Sequence, residues 1–205
     1  MSSQRELVRE SRWMRVYKIA ERHELYESKF FLDRLQVSPT SLKSEWKTMT
    51  EEERSEFALA FSAKPTLNSG DEEILNHLIE FGSTTVLCSI ALLAVRQSNK
   101  ENAFRFLTQQ VQRGHKPLVN FYQALELLND RRAVPILRQA FHRYKARFAN
   151  GDFDSSDLGD YLRCCKALLA MEGNAEYERA ISEFRSHSDE QISGIARRLL
   201  DENKK

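Results

Sequence analysis

The amino-acid sequence predicts an all-α protein: an α–α superhelix of short helical hairpins with an N-terminal helical extension. Glycine and proline are scarce, at 7 and 4 in 205 residues, too few for the many tight turns of an all-β protein. Helix-capping signals recur along the whole chain. Apolar residues recur every three or four positions, whereas strict alternation never persists, so no strand is predicted.

The punctuation of the chain marks where helices start and stop. Capping-box patterns, in which a hydroxyl residue precedes an acidic or amide residue by three positions, begin at Thr50, Ser69, Ser98 and Ser188. Ser38 before Pro39 gives a further start. Left-handed C-terminal caps are expected at Gly82, Gly114, Gly151 and Gly173. These signals predict helices over 4–26, 28–36, 39–47, 51–63, 70–81, 84–97, 99–113, 116–129, 131–150, 157–172, 175–187 and 189–203.

The second half of the chain repeats itself loosely. Similar apolar segments occur late in successive helices, at residues 91–94, 124–127 and 167–170. Each is followed by a short polar turn and another apolar helix. Short turns place neighbouring helices antiparallel, and stacked hairpins bury a shared core.

Two of these segments carry a family resemblance. Residues 124–135 (ALELLNDRRAVP) resemble the helix–turn–helix joint of HEAT-like repeats of the phycobilisome-lyase type, and residues 161–174 (YLRCCKALLAMEGN) look like the second helix of the following repeat. The resemblance covers roughly residues 71–203 and departs from the pattern at 146–160. Residues 1–70 show no such repeat, and we expect them to form an N-terminal helical segment that packs on the repeat region, residues 71–205, in one continuous domain. Most proteins with such repeats bind other macromolecules, and a few are enzymes.

The composition indicates which kinds of partner and which cellular compartment to expect. The formal net charge is +1, so no global field favours nucleic acid or an anionic membrane. The three cysteines, Cys88, Cys164 and Cys165, lack CxxC spacing, and the adjacent Cys164 and Cys165 are expected to be buried thiols in a reducing compartment. No apolar stretch is long enough to cross a bilayer, and no signal-peptide core is present. We therefore expect a cytoplasmic protein without membrane contact.

The helix predicted over 131–150 carries the strongest local charge. No acidic residue interrupts it, and one side of the helical wheel opposes the apolar stripe of Val134, Phe141 and Phe148. Such a face suits an acidic peptide or a phosphate backbone. The alternative is a solvated outer face whose late cations interact with the helix dipole. The basic residues are Arg131, Arg132, Arg138, His142, Arg143, Lys145 and Arg147.

The acidic segment after this helix has the alternate spacing of a calcium loop at Asp152, Asp154 and Ser156. The sixth and twelfth positions are Asp157 and Arg163, where a calcium loop requires glycine and glutamate. The segment is therefore predicted to start a helix, with Asp157 as N-cap and Asp160 at N3. It can also cover the basic face.

The first helix interleaves basic residues with Trp13 and Tyr17, a pattern that can suit nucleic acid. Glutamates dilute its charge, and the aromatic residues are better explained as a core-facing stripe. The basic residues are Arg5, Arg9, Arg12, Arg15, Lys18 and Arg22.

Motifs for chemistry are absent from the sequence. The five histidines have no metal-ligand spacing, and neither a phosphate-binding glycine loop nor a nucleophile elbow occurs. No catalytic residue, metal or cofactor is predicted, although a dispersed active site would be invisible in one sequence.

A second candidate surface follows from the hairpins themselves. If they stack, the second helix of each pair lines the inner side, which places polar residues there: Asn120, Gln123, Arg163, Lys166 and Arg197. The sequence thus favours a non-enzymatic module that binds a protein or peptide. The alternative is nucleic-acid binding through the basic helix or the N-terminal helix. The oligomeric state is left open.

Overall fold

A computed structural model describes residues 11–202, and every regular element in that range is helical. This confirms the all-α prediction. The chain forms two compact units that divide between Leu93 and Ala94. The boundary thus falls inside the segment that the family resemblance covers.

From residue 11 onward, the first unit contains six helices that pack around aromatic side chains. Trp13 meets Phe57 edge-on with ring centroids 4.9 Å apart, and Phe57 stacks on Phe61 at 5.6 Å. Helix α1 packs on α4, and α3 packs on α5. The helices are α1 (Arg12–His23), α2 (Lys29–Arg34), α3 (Pro39–Trp46), α4 (Glu51–Ser62), α5 (Ser69–Phe81) and α6 (Thr84–Ala94).

The second unit contains three successive helical hairpins. Helix α7 pairs with α8, α9 with α10, and α11 with α12, while α10 contacts α8, α9, α11 and α12. A single 3-10 turn, Arg131–Ala133, precedes α9. The helices are α7 (Lys100–Arg113), α8 (Val119–Leu128), α9 (Val134–Ala149), α10 (Ser155–Glu172), α11 (Ala175–Ser182) and α12 (Glu190–Glu202).

Cross-helix contacts fix the direction of these helices. Helices α8 and α10 run parallel, because Leu118 N–H donates to Asp160 at 2.8 Å and Glu126, further along, lies 3.9 Å from Arg163. Helices α9 and α10 run antiparallel, because the Cys164 thiol lies 3.4 Å from the Leu137 carbonyl and Arg147 lies near Asp157. Alternate helices that run parallel are what consecutive hairpins require.

Helix α10 passes through the core of the second unit. Its Tyr161 stacks on Phe141 of α9 with centroids 5.6 Å apart, and it meets Phe184 at 6.0 Å. Cys164 and Cys165 are fully buried, as predicted. A central helix buried on most sides explains why residues 155–172 contain so many apolar positions.

Several of the helix caps predicted from local sequence patterns are present in the structure. Thr50 and Glu53 form the predicted capping box, and Pro39 opens α3 behind Ser38. Gly114, Gly151 and Gly173 adopt the predicted left-handed conformation. At Gly82 the prediction is wrong, because its φ of −77° and ψ of 144° are extended.

Other predicted starts are displaced by one or three residues. Asn68 caps α5 in place of Ser69, and Asn99 caps α7 in place of Ser98. Asp154 caps α10 with Asp157 at N3, so the prediction of Asp157 as N-cap is wrong. If the 3-10 turn is counted with α9, four helices have an end at least three residues short of the prediction: α1 ends at His23, α6 ends at Ala94, α8 begins at Val119, and α11 ends at Ser182.

Candidate functional site

The basic residues of α9 project from the side opposite its apolar stripe. Leu137, Phe141 and Tyr144 are buried, while Val134 and Phe148 are half-buried. This anchors the helix and leaves its polar side at the surface. The structure then shows what each cation contacts.

At the start of the helix, Arg132 forms ion pairs with Asp130 at 2.6 Å and with Glu101 at 2.8 Å. Its guanidinium also lies 4.3 Å from the centroid of Phe104. The hydrogen bond from Arg132 lowers the pKa of Asp130. Arg132 therefore connects α7 to the turn before α9.

In the middle of the helix, Arg138 forms a two-pronged ion pair with Glu172 at the end of α10. Glu172 also accepts a hydrogen bond from the Tyr177 hydroxyl at 3.0 Å. Lys145 lies 3.6 Å from Glu176 of α11 and 5.2 Å from the Phe141 centroid. These contacts join α9 to α10 and α11.

Near the end of the helix, the acidic segment meets the cations. Arg147 donates to the fully buried carboxylate of Asp157 at 2.6 Å and lies 3.5 Å from Asp152. Lys116 forms a second ion pair with Asp157 at 2.5 Å. Arg143 donates to the carbonyl of Val111 at 3.1 Å, near the C-terminus of α7, where a cation is favoured.

Two of the seven predicted basic residues differ from the others. Arg131 and His142 are exposed, and neither forms an ion pair with a residue that the structure describes. The His142 ring meets Phe141 with centroids 5.4 Å apart. Most of the seven residues thus contact another helix. Carboxylates of the same chain neutralise much of the positive charge of this face.

The predicted inner residues lie in three places. On α10, Arg163 lies 3.9 Å from Glu126 and 3.6 Å from Glu202, and Lys166 is only 4% exposed. Burial raises the pKa of Glu126, while Lys166 and Arg163 oppose that effect. Arg197 lies apart from this cluster and donates to the Arg185 carbonyl at 3.1 Å. Asn120 and Gln123 are half-buried on α8.

A groove lies between α9 and α11. Among its lining residues, only Lys145 was predicted from the sequence as a site residue. It has a volume of about 530 Å³. The aromatic residues of its floor are stacked on each other, and charged residues of both signs surround them. The only signal in the sequence was a cation next to an aromatic core residue, which is common on amphipathic helices. The lining residues are Phe141, Lys145, Tyr161, Asn174, Glu176, Arg179, Ala180 and Glu183.

A buried polar cluster close to this groove is structural. Asp160, fully buried, accepts from Leu118 N–H at 2.8 Å and from the Tyr144 hydroxyl at 3.4 Å. Because α8 has no cap from its own N-cap residue, Asp160 caps it from a different helix. Burial raises the pKa of Asp160 to about 6, although these hydrogen bonds favour the ionised form.

The structure describes only part of the N-terminal helix, which is the alternative site for nucleic-acid binding. Arg5 and Arg9 lie outside the described residues. Arg12 forms an ion pair with Glu45 at 2.5 Å and lies over Trp13, whose own side chain is 5% exposed. Trp13 is therefore a core residue, as the stripe predicted, and is not available to stack on a base.

Residues 11–202 contain neither a metal-binding cluster nor a helix that could span a membrane. That range contains no cluster of three or more His, Cys, Asp or Glu side chains suited to a metal ion. None of its helices combines the length and the apolar character that crossing a membrane requires.

Comparison of the whole chain with known protein families, with curated proteins and with solved structures finds no match in any of the three. The HEAT-like resemblance therefore stays a prediction.

Proposed function

We propose that the protein is a non-enzymatic interaction module whose second unit binds a peptide segment of another protein. The observation that carries this proposal is the α9–α11 groove, with its aromatic floor and charged rim. Concave sites with a few convergent polar groups are the default binding sites of proteins.

The rim suggests the chemistry of the peptide. Lys145 and Arg179 supply positive charge, and Glu176 and Glu183 supply negative charge. Lys145 and Glu176 are each about half exposed, at 54% and 48% of their side-chain surface. A peptide with charged residues of both signs therefore complements the rim, and such a small surface predicts weak, transient binding.

Nucleic-acid binding through α9 is the alternative, and the ion pairs weigh against it. Phosphate binding requires cations that are free to neutralise phosphates, which releases the counterions condensed on the nucleic acid. Arg132, Arg138, Lys145 and Arg147 already face carboxylates of the same chain. We therefore expect no salt-dependent binding to single-stranded or duplex DNA in fluorescence anisotropy at low salt. Tight binding that weakens steeply with salt would favour the alternative.

The peptide proposal is tested by selection followed by titration. Peptides selected from a random display library on the full chain are titrated by calorimetry against the wild type and the variants Arg179→Glu and Glu183→Lys. Both variants should weaken binding about tenfold or more, because a charge on the rim then faces a like charge of the peptide. Arg185→Glu, an exposed residue outside the groove, is the matched control and should bind as the wild type does. Equal binding by all four proteins would place the peptide elsewhere.

A further inference from the structure

A groove in the first unit, between α3 and α5, is built differently from the peptide groove. It has a volume of about 630 Å³. Its centre is aromatic: His77 lies between Trp46, at 5.7 Å between centroids, and Phe81, at 4.9 Å. Its lining residues are Lys43, Ser44, Lys47, Glu73, Asn76, His77, Glu80 and Phe81.

The aromatic centre reaches the surface. Phe81 is 56% exposed, which is high for so large an apolar side chain. The Nε2 atom of His77 is buried and has no hydrogen-bond partner among the described residues. Burial lowers the pKa of His77, and Lys43 adds to that effect, so the ring is neutral near pH 7. The strip from Trp46 to Phe81 is therefore apolar in character.

The two edges of the groove carry opposite charges. The α3 side contributes Lys43 and Lys47, the residue that follows the last residue of the helix, and α5 contributes Glu73 and Glu80, two turns apart. Lys43 and Glu73 already form an ion pair at 2.6 Å. Lys47 and Glu80 are exposed and form no ion pair with any residue in 11–202.

The two helices also run in the same direction across the groove. Lys43 meets Glu73 and, three residues later, Trp46 meets His77. Lys47 and Glu80 consequently lie at the same end of the groove, on opposite edges, with Phe81 beside Glu80. One edge is basic, the other is acidic, and the strip between them is apolar.

We propose that this groove, from Lys43 and Lys47 on the α3 side to Glu73, Glu80 and Phe81 of α5, is the self-association surface of the protein and that its occupant is a second copy of the chain. A two-fold axis along the groove exchanges its edges, so the basic edge of each copy faces the acidic edge of the other. Lys47 of each copy then pairs with Glu80 of the other copy, which gives two ion pairs per dimer. The exposed Phe81 side chain of each copy is then covered by the other copy, and a buried aromatic residue contributes strongly to such an interface.

The test is sedimentation velocity of the full chain over a concentration series, with circular dichroism to confirm folding of each variant. The wild type should pass from monomer to dimer as concentration rises. Phe81→Ala should weaken the dimer at least about tenfold. Phe30→Ala, a partly exposed phenylalanine of α2 (38% exposed), is the matched control and should dimerise normally.

Charge reversal makes the test specific for this geometry. Lys47→Glu and Glu80→Lys should each weaken the dimer, because two like-charge contacts form in place of two ion pairs. A mixture of the two variants should dimerise again, since every cross-copy contact is once more between opposite charges. A wild type that stays monomeric at millimolar concentration would overturn the proposal. So would a dimer that none of these substitutions weakens.

Discussion

At the scale of single residues, Asp160 has the most informative environment. It is fully buried, accepts hydrogen bonds from Leu118 N–H and the Tyr144 hydroxyl, and lies one turn from Asp157. Lys116 and Arg147 neutralise Asp157, whereas Asp160 has no ion pair with any residue in the described range. The pKa of Asp160 is raised to about 6, with burial as the main cause.

This raised pKa makes stability depend on pH. The unfolded chain has an Asp pKa of about 3.9, so between roughly pH 4 and pH 6 the folded protein binds more protons than the unfolded chain. The free energy of unfolding should therefore fall by about 2–3 kcal/mol as pH rises through that window. Asp160→Asn should flatten this part of the profile in urea titrations, because an amide caps α8 without ionising. The exposed Asp33→Asn is the control, and an unchanged profile in Asp160→Asn would contradict the account.

A second prediction compares two arginines of the basic face. Arg138 pairs with Glu172 at the surface, whereas Arg147 pairs with the fully buried Asp157. Removal of Arg147 leaves a buried carboxylate short of one partner, which is costly, while an exposed ion pair contributes little. Arg147→Gln should lower the melting temperature by several degrees, and Arg138→Gln by about one degree or less. Equal shifts of the melting temperature in a calorimetric scan would show that the acidic segment does not stabilise the end of α9.

At the scale of helices, two glycines predict opposite effects. Gly194 lies inside α12, where an added Cβ meets nothing within 4 Å, and Gly173 ends α10 with φ at +66°. Gly194→Ala should stabilise the protein by about 0.5–1 kcal/mol, because alanine loses less backbone entropy in a helix. Gly173→Ala should destabilise it by about 1 kcal/mol, because the left-handed conformation strains alanine. Urea unfolding of both variants checks the sign, and a stabilising Gly173→Ala would contradict the helix end described here.

Helix starts show how far sequence reasoning reaches. Thr50 and Glu53 offer one capping box, and the structure uses it. Asp154, Asp157 and Asp160 are spaced three apart and offer two overlapping boxes. The choice depends on residues distant in sequence, because Lys116 and Arg147 bind Asp157 and Leu118 binds Asp160. Local pattern alone therefore placed this start three residues too late.

At the scale of the whole molecule, the sequence predicted the helices better than the sites. The apolar stripe of α9 follows from periodicity, and so does the exposure of its cations. Their partners do not follow, because Glu101, Glu172 and Glu176 come from three other helices whose register is a tertiary property. The α9–α11 groove was missed for the same reason. A run of like charges in sequence is thus a poor guide to the charge of the folded surface.

The central claim is that the groove between α9 and α11 is the peptide-binding site. Hydrogen–deuterium exchange of the full chain, with and without a display-selected peptide, tests it most directly. We expect added protection in α9 and α11, centred on Lys145 and Glu176. Protection confined to α8 and α12, or no change at saturating peptide, would contradict the claim.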